Sequence, residues 1–348
     1  MTNTRAPRVT QRMIADMAGV SQSTVSLVLN GKADATRRIP AETRDRVLEV
    51  IRETTYVANP VARSLAGVSN NLIGVFTYEH AFPNDSTDFY TPLLTGVESA
   101  AEHLGADLLM FTSTPVLDGR RHLFHESSRL RLADGCLLLG REMDADDLAR
   151  LVDSGYPFVA IGRRDAAAGR VPYVGVDYVS AAQALATLAV EAGHTRFASL
   201  HLSLTAESTT DRREGLLRGL AGHGALTELL APEAGLDGAW RRVRESGATV
   251  LFVEDPLDAQ KIHDFAVRDG VTVPDDLSLV VLGEHSRPRE RAVDFTRLSA
   301  PRTALGSRAV ALLDEVMNGS RGAAPLPRQQ LLESSIVGGS TLSRPRAL

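Results

Sequence analysis

Cysteine is almost missing from this sequence, and long apolar runs are missing altogether. The 348 residues include a single cysteine, Cys136, which excludes an internal disulfide framework and any zinc site built from several cysteines. No apolar run approaches the roughly 20 residues that cross a bilayer, and the N-terminus has no apolar signal-peptide core. We therefore expect a protein that does not enter membranes and stays in the cytoplasm.

The sequence also lacks the short motifs that accompany common enzyme chemistries. It contains no Walker loop, no G-x-S-x-G elbow, no H-E-x-x-H pair and no G-x-G-x-x-G behind its first strand. His122 and His125 stand three residues apart without a third ligand nearby, which is more typical of a solvated helix face than of a metal site. We expect no enzymatic activity, no metal and no cofactor.

The charges are unevenly distributed along the chain. The net charge is −5 at pH 7, but residues 1–69 carry ten Arg and Lys against six acids, a balance of +4, which leaves −9 for the remainder. A basic head on an acidic body suits a protein that offers only its head to a polyanion. A chance fluctuation over seventy residues is the alternative.

A chain of this length suggests two or three domains.

The first thirty residues have the pattern of two short helices joined by a tight turn. The spacing predicts helices over 11–18 and 22–30, with Gly19 ending the first and Ser21 capping the second. A third helix over 41–54 would complete a small three-helix head. This arrangement indicates a helix-turn-helix, in which the second helix enters the DNA major groove. Helix pairs with a central glycine are also common packing units without that function.

Two motifs in this region resemble the LacI/GalR (lactose-repressor) family of bacterial transcription regulators. Residues 9–31 read V-T-Q-R-M-I-A-D-M-A-G-V-S-Q-S-T-V-S-L-V-L-N-G, and residues 59–66 read N-P-V-A-R-S-L-A. The resemblance implies a hinge helix over the second motif, which orders when two copies meet on DNA and pushes Leu65 between base pairs of the minor groove. A plain linker helix with Leu65 packed on the body is the competing interpretation.

The resemblance also implies which residues meet DNA. Gln22, Ser23 and Ser26 would face base edges, and Lys32 would reach a phosphate or remain a solvated loop charge. Leu27 stands where the family often has arginine, so we expect it to contact a thymine methyl and not guanine. The expected DNA-binding residues are Thr10, Ser21, Gln22, Ser23, Thr24, Ser26, Leu27, Asn30, Lys32, Asn59, Ala62, Arg63 and Leu65.

After residue 70 the pattern changes to strands alternating with helices, which indicates parallel sheets covered on both faces. Buried strands are predicted over 72–76, 135–139 and 249–253, and a helix near 121–130. A strand over 173–176 is predicted to open the second lobe. The predicted fold class is α/β: a helix-turn-helix head and hinge helix, then a two-lobed body like the periplasmic binding proteins, with two parallel sheets. The expected domains are 1–57 for the head, 58–69 for the hinge, 70–164 with 297–330 for the first lobe, and 165–296 with 331–348 for the second lobe and tail.

A ligand of such a body would lie in the cleft beyond the carboxyl ends of the strands. The residues expected there are Phe89, Tyr90, Arg141, Arg163, Arg212, Asp255 and Glu284. The family's usual Asp pair after the last strand of the second lobe is replaced by Gly283 and Glu284. Polar and aromatic residues together suit a sugar, although a phosphorylated sugar or a nucleobase also fits, and arginines at strand ends are common without any ligand.

These features together predict a repressor controlled by a small molecule. It would act as a homodimer on a pseudo-palindromic operator in double-stranded DNA. A tetramer is not expected, because the tail after Ile336 has no leucine heptads. The alternative is a non-regulatory sugar-binding or sugar-modifying protein with a degenerate DNA-binding head. An architectural DNA-binding protein without an effector is a third possibility.

Overall fold

The structure is a computed structural model. It describes residues 9–30, 39–54, 56, 69–79, 90–114, 116–117, 120–124, 128–203, 206–231, 235–284, 293–319 and 327–346. The chain divides into two compact units, residues 1–70 and residues 71–348. Within these ranges, none of the helices combines the length and hydropathy needed to cross a bilayer.

The first unit is a three-helix head built around a small apolar core. Its helices are α1 (Gln11–Ala18), α2 (Gln22–Asn30) and α3 (Ala41–Glu53). The backbone N–H of Met13 donates to the Thr10 hydroxyl, and Gly19 ends α1 with φ of 65°, a conformation that favours glycine. The fully buried side chains at the centre are Ile14, Val25 and Val47. The predicted helices 11–18 and 22–30 are therefore confirmed, and the third ends one residue earlier than predicted.

The second unit contains two six-stranded sheets flanked by helices. The strands are β1 (Leu72–Thr77), β2 (Asp107–Phe111), β5 (Gly135–Leu139), β6 (Phe158–Ile161), β7 (Tyr173–Val176), β8 (Arg196–His201), β9 (Ala225–Leu230), β10 (Val250–Val253), β11 (Ser278–Val281), β12 (Thr296–Ser299), β13 (Gln329–Leu332) and β14 (Ser335–Val337), with a small hairpin of β3 (Val116–Leu117) and β4 (Arg120–Arg121). The helices are α4 (Thr91–His103), α5 (Ala145–Ser154), α6 (Tyr178–Glu191), α7 (Glu207–Leu220), α8 (Asp237–Ser246), α9 (Pro256–Arg268) and α10 (Arg302–Asn318).

Each sheet forms the centre of one lobe. The first has the order β13-β7-β6-β5-β1-β2 with all neighbours parallel. The second has the order β14-β12-β11-β10-β8-β9, parallel except for the antiparallel pair β12 and β14. Apolar clusters cover both faces of each sheet. The α/β class with two parallel-sheet lobes is confirmed, with β14 as an antiparallel edge that the sequence did not predict.

The lobe boundaries differ from those predicted. The strand β7 (Tyr173–Val176) was expected to open the second lobe, but it pairs with β6 and β13 in the first sheet. Likewise β12 joins the second sheet, and β13 extends to Leu332 in the first. The chain thus crosses between lobes after 176, 299 and 332, and not after 164, 296 and 330. Buried parallel strands in both sheets are short apolar runs, so their residues do not reveal which sheet each joins.

The structure differs from the predictions at three further elements. The helix predicted near 121–130 is absent from the described part of that segment, where Arg120–Arg121 forms a strand and Leu130–Leu132 a 3₁₀ turn. The edge strand β9 and the helix α8 were not predicted. Because β9 is exposed on one side and reads A-L-T-E-L-L, it lacks the continuous apolar run that marks the central strands.

Candidate functional site

A cavity of about 140 Å³ lies between the two lobes, at the carboxyl ends of the strands. This is the place where open parallel sheets bind ligands. Its apolar walls include Leu93, Ile161 and Leu298, and Tyr178 supplies an aromatic ring. The polar side chains around it are Arg141, Arg164, Ser208, Thr209, Arg212, Glu254, Asp255, Glu284 and Arg302.

Arg212 is held in place by bonds from three sides. It lies on α7 with only 8% of its surface exposed. Its Nε donates to the Leu282 carbonyl at 2.8 Å, and its Nη1 donates to the Ser208 carbonyl at 2.9 Å. The guanidinium lies 3.7 Å from the centre of the Tyr178 ring, a cation–π distance. These contacts fix the orientation of the arginine at the cavity wall before any ligand arrives.

Glu254 is the buried carboxylate that faces Arg212. Its Oε1 accepts from the Thr209 hydroxyl at 2.7 Å and from Arg212 at 3.5 Å, and its Oε2 accepts from the backbone N–H of Leu202. The His201 Nδ1 lies 3.6 Å from Oε2. Burial alone would raise the pKa of Glu254, but these neighbours outweigh it and lower the pKa, so the group is a carboxylate at neutral pH.

Asp255 has a local role as well as a place in the cavity. It is the N-cap of α9, and its Oδ1 accepts from the backbone N–H groups of Leu257 and Asp258. Its Oδ2 lies 3.9 Å from Arg141 Nη2. Because Arg141 follows β5 in the first lobe and Asp255 follows β10 in the second, this ion pair spans the cleft.

Arg163 does not line the cavity, contrary to prediction. Its guanidinium makes a bidentate pair with Asp211 on α7 at 3.0 and 2.8 Å, and it also bonds Asp165. The neighbouring Arg164 lines the cavity instead. Consecutive residues in the loop after β6 point in different directions, and the sequence alone gave no basis for choosing between two adjacent arginines.

Tyr90 is also not among the residues that line the cavity. Its buried hydroxyl donates to the Glu79 carboxylate, whose other oxygen accepts from the backbone N–H of Arg141 at 2.8 Å. Burial, with help from Glu79, raises the pKa of Tyr90 well above its usual value, so the hydroxyl stays a donor. Tyr90 thus supports the loop that carries Arg141. Phe89, its predicted partner, lies outside the described residues.

Glu284 lines the cavity at the position where the family usually has the second aspartate of its pair. Its backbone carbonyl accepts from Arg302 Nη2 at 2.9 Å. Sequence reasoning missed Arg302, which begins α10 after the chain has crossed back to the first lobe, and it missed Glu254 and Tyr178. Glu254 directly follows a buried strand, so its position at a strand end was a usable signal; Arg302 offered none.

In the head, some predicted DNA-contact residues in and beside α2 have exposed side chains, and others serve the helix itself. Gln22, Ser23 and Leu27 are exposed, Leu27 at 42%. The Ser21 hydroxyl accepts from the backbone N–H of Thr24 and is bonded to the hydroxyls of Ser23 and Thr24, so Ser21 serves first as the N-cap of α2.

The other predicted contacts are less open or are not described. Thr10 is the N-cap of α1, and Ser26 is half-buried. Asn30 is the last residue of α2, and its side chain is not described. Lys32, Asn59, Ala62, Arg63 and Leu65 lie outside the described residues.

Three family models match successive parts of the chain. The model described as "Bacterial regulatory proteins, lacI family" matches residues 12–59. The model "Periplasmic binding proteins and sugar binding domain of LacI family" matches 80–233, and "Periplasmic binding protein-like domain" matches 186–341. The chain belongs to the LacI family of bacterial regulatory proteins. The first model thus covers nearly all of the three-helix head, and the other two together cover residues 80–341 of the body.

Relatives of known name match the LacI-family chain over nearly its full length. Catabolite control protein A of Streptococcus mutans serotype c is 29% identical over 93% of this chain and 93% of its own. The HTH-type transcriptional regulator CelR of Thermobifida fusca is 26% identical over 90% of this chain and 94% of its own. The HTH-type transcriptional regulator AglR of Rhizobium meliloti is 25% identical over 94% and 93%.

Solved structures share the fold. The Lac repressor dimer bound to operator and the anti-inducer ONPF matches with a TM-score of 0.73 and 22% identity, covering 97% of this chain and all of that one. The complex of the transcriptional regulator CelR with cellobiose matches with a TM-score of 0.65 and 22% identity, covering 96% of this chain and all of that one.

Proposed function

We propose that this protein is a sequence-specific DNA-binding transcriptional repressor whose DNA affinity is controlled by a small neutral sugar in the cleft. The observation that carries the proposal is the combination, in one LacI-family chain, of a helix-turn-helix head with exposed side chains on α2 and a cavity whose walls come from both lobes. The names of two relatives described above, the HTH-type transcriptional regulators CelR and AglR, support it.

The proposed reading surface is the exposed side of α2. Gln22 and Ser23 stand at the N-terminal end of the helix, where a recognition helix reaches base edges. Leu27 is apolar and exposed, so it offers a contact to a thymine methyl group and no bidentate hydrogen bonds to guanine. The relevant base pair of the operator is therefore expected to be A·T.

The cavity charges favour a neutral ligand over a phosphorylated one. Each arginine around the cavity has a carboxylate partner: Arg212 with Glu254 at 3.5 Å, Arg141 with Asp255 at 3.9 Å and Arg164 with Glu207 at 3.1 Å. Arg302 lies within electrostatic range of Glu284. A phosphate group would have to compete with these carboxylates for the arginines. Hydroxyl groups, which both donate and accept, suit a wall of paired charges.

The proposal includes a homodimer on a pseudo-palindromic operator. Two heads that read two half-sites explain why one short helix suffices for a specific site. The structure of the Lac repressor dimer on its operator gives that arrangement for a protein of the same fold. In this chain the hinge segment 58–69, with Leu65, is proposed to order on DNA; residues 58–68 lie outside the described residues, so this part rests on the motif.

Selection from random double-stranded DNA tests the DNA half of the proposal. The full chain, at physiological salt, is expected to enrich a pseudo-palindrome, and Leu27→Arg is expected to change the selected base at one position in each half-site towards guanine. Leu48→Arg is the matched control, because it adds the same charge at an exposed leucine on α3, and the selected sequence should not change. Failure to enrich any sequence contradicts the proposal.

Calorimetry with saccharides tests the ligand half. Cellobiose, D-glucose and other neutral mono- and disaccharides are compared with glucose 6-phosphate at the same ionic strength. The charge pairing predicts that the tightest ligand is a neutral saccharide. Tighter binding of the phosphorylated sugar contradicts the assignment of a neutral ligand, and no binding by any of them contradicts control by a sugar.

A further inference from the structure

Arg46 on α3 makes a hydrogen bond to another helix of the head. Its Nε donates to the backbone carbonyl of Ala18 at 2.9 Å, across 28 positions of the sequence. Ala18 is the last residue of α1 and is buried, with 2% of its surface exposed. Arg52, by comparison, donates from its Nε to the carbonyl of Leu48 within α3 itself. The Arg46 bond therefore joins the third helix to the place where the helix-turn-helix changes direction.

The acceptor is one of the carbonyls that a helix leaves without a helical partner at its C-terminal end. The carbonyl of Ala15 accepts from the backbone N–H groups of Gly19 and Val20, which close the end of α1. The carbonyl of Ala18 lies further along the chain and accepts from Arg46. A cation at this end of a helix also interacts favourably with the helix dipole. Arg46 thus caps the C-terminal end of α1 from another helix.

The turn that follows Ala18 is mostly in contact with solvent. Residues 19–24 are exposed or half-buried, and Val25 is the next fully buried side chain of the head core. Gly19 has φ of 65°, and a Cβ atom there would meet no atom within 4 Å. The position of Ala18 therefore determines where this short segment starts, because packing in the core holds the chain again only from Val25 onward.

That segment carries the first side chains of the proposed reading surface. Gln22 and Ser23 are exposed at the N-terminal end of α2, where a recognition helix meets base edges. Base readout depends on hydrogen bonds to particular donors and acceptors in the groove, whereas attraction to phosphates is independent of sequence. A shift of the turn at Ala18 would therefore weaken binding to the preferred DNA sequence more than binding to other DNA.

We propose that Arg46 is a positioning residue for DNA recognition. Its Nε bond to the Ala18 carbonyl fixes the turn from which α2 presents Gln22 and Ser23. This inference rests on the proposed function, and it adds a residue that lies outside the recognition helix. The role belongs to the hydrogen bond and not to the positive charge. Because the charge of an exposed arginine also attracts phosphates, the test has to change the donor and the charge separately.

Three substitutions separate the donor from the charge. Arg46→Gln removes the charge but keeps an N–H donor, because the glutamine Nε2 is as many bonds from Cα as the arginine Nε. Arg46→Lys keeps the charge and has a methylene at that position, and Arg46→Met has neither the donor nor the charge. The matched controls are the same substitutions at Arg52, whose Nε bonds within its own helix at 3.3 Å.

The first measurement is the ratio of the dissociation constants for two duplexes. One is the pseudo-palindrome that the unaltered full chain selects, and the other has equal length and scrambled half-sites. A hydrogen bond of ordinary net strength changes an equilibrium about two- to tenfold. Because two heads bind one site, a loss of about threefold in each should reduce this specificity ratio about tenfold.

We expect the tenfold reduction in Arg46→Lys and Arg46→Met. The affinity of Arg46→Lys for the scrambled duplex should stay the same, because its charge is kept. Arg46→Gln and the three Arg52 variants should keep the specificity ratio within about threefold of the unaltered chain. Full retention of the ratio in Arg46→Lys, or an equal loss in Arg46→Gln, overturns the assignment to the Nε bond.

The second measurement needs no DNA and reports on the turn directly. Hydrogen–deuterium exchange of the full chain, followed by mass spectrometry, compares a peptide over residues 18–24 with one over residues 41–53. The first peptide should exchange about threefold or more faster in Arg46→Lys than in Arg46→Gln, while the second exchanges at the same rate in both. Equal exchange of the first peptide overturns the positioning role. An equal acceleration of both peptides also overturns it, because the substitution then destabilises the whole head.

The outcomes separate this inference from the proposed function. If the unaltered chain selects no DNA sequence, the proposed function fails and the role of Arg46 in recognition fails with it. If the unaltered chain selects a sequence and Arg46→Lys keeps the full specificity ratio, only the inference fails.

Discussion

Replacing Arg212 by lysine tests whether the cavity wall is held by the fork of the guanidinium or merely by its charge. Arg212 donates at the same time to the carbonyls of Leu282 and Ser208, from two different nitrogen atoms. A lysine ammonium can remain near Glu254, but it cannot reach both carbonyls in this geometry, so one buried acceptor loses its bond.

The magnitude follows from these contacts. Loss of one hydrogen bond to a charged group costs about 1.5–3 kcal/mol, and the weaker contact with the Tyr178 ring adds about 0.5–1 kcal/mol. We therefore expect Arg212→Lys to lower the free energy of unfolding of the body by about 2–4 kcal/mol. Arg212→Ala also leaves Glu254 without its cation, and we expect about 3–5 kcal/mol.

The assay uses the single tryptophan of the chain. Trp240 lies on α8 in the second lobe with 2% of its surface exposed, and its Nε1 donates to Asp269 at 2.8 Å. Its fluorescence during urea unfolding therefore reports on the lobe that contains Arg212. The control is Arg213→Lys, whose side chain is 52% exposed and paired with Glu228, and which should cost less than about 1 kcal/mol. Equal midpoints for Arg212→Lys and Arg213→Lys would refute the reasoning.

Three other predictions concern pH, backbone and the head. Burial lowers the pKa of His194 below its usual value of 6.5. The unfolded chain therefore binds the proton more readily, and the free energy of unfolding should fall as the pH drops below about 6.5. His194→Gln should reduce the change in the urea midpoint, followed by Trp240 fluorescence, between about pH 7.5 and 5.5. Gly162→Ala should cost about 2 kcal/mol or more in the same assay, because the position has a positive φ and the added Cβ would contact Arg164. Gly19 also has a positive φ, but a Cβ there would meet no atom within 4 Å. Gly19→Ala should therefore cost about 1 kcal/mol, measured by thermal unfolding of the head followed by circular dichroism. Ile14→Ala should remove about 2–5 kcal/mol from the small head core and abolish DNA binding, because Ile14 is buried in that core. The Trp240 transition of the body, a separate compact unit, should stay unchanged, and a shifted transition would contradict this prediction.

Local signals made the head and most of the sheets predictable. Gly19 and Ser21 mark the end of α1 and the start of α2, and their effect on the backbone depends only on adjacent residues. The buried strands β1, β5 and β10 were recognisable because a parallel strand covered on both faces is a short continuous apolar run.

Long-range choices were not predictable in the same way. Which lobe β7 joins depends on pairing with β13, more than 150 residues later, and the same apolar run would fit either sheet. The choice between Arg163 and Arg164 depends on the turn at Gly162, where one residue changes which side chain reaches the cavity. Arg141, Arg212, Asp255 and Glu284 line the cavity, as the meeting of the carboxyl ends of parallel strands at one edge predicts; that they bind an effector stays a prediction.

The central claim is that the cleft and the head are coupled, and the most direct measurement is the affinity for the selected DNA with and without the saccharide that fills the cleft. A saturating concentration of the saccharide should change the dissociation constant for DNA at least about fivefold, and the DNA should change the affinity for the saccharide by the same factor. A saccharide that binds the cleft but leaves the DNA affinity unchanged would contradict this coupling.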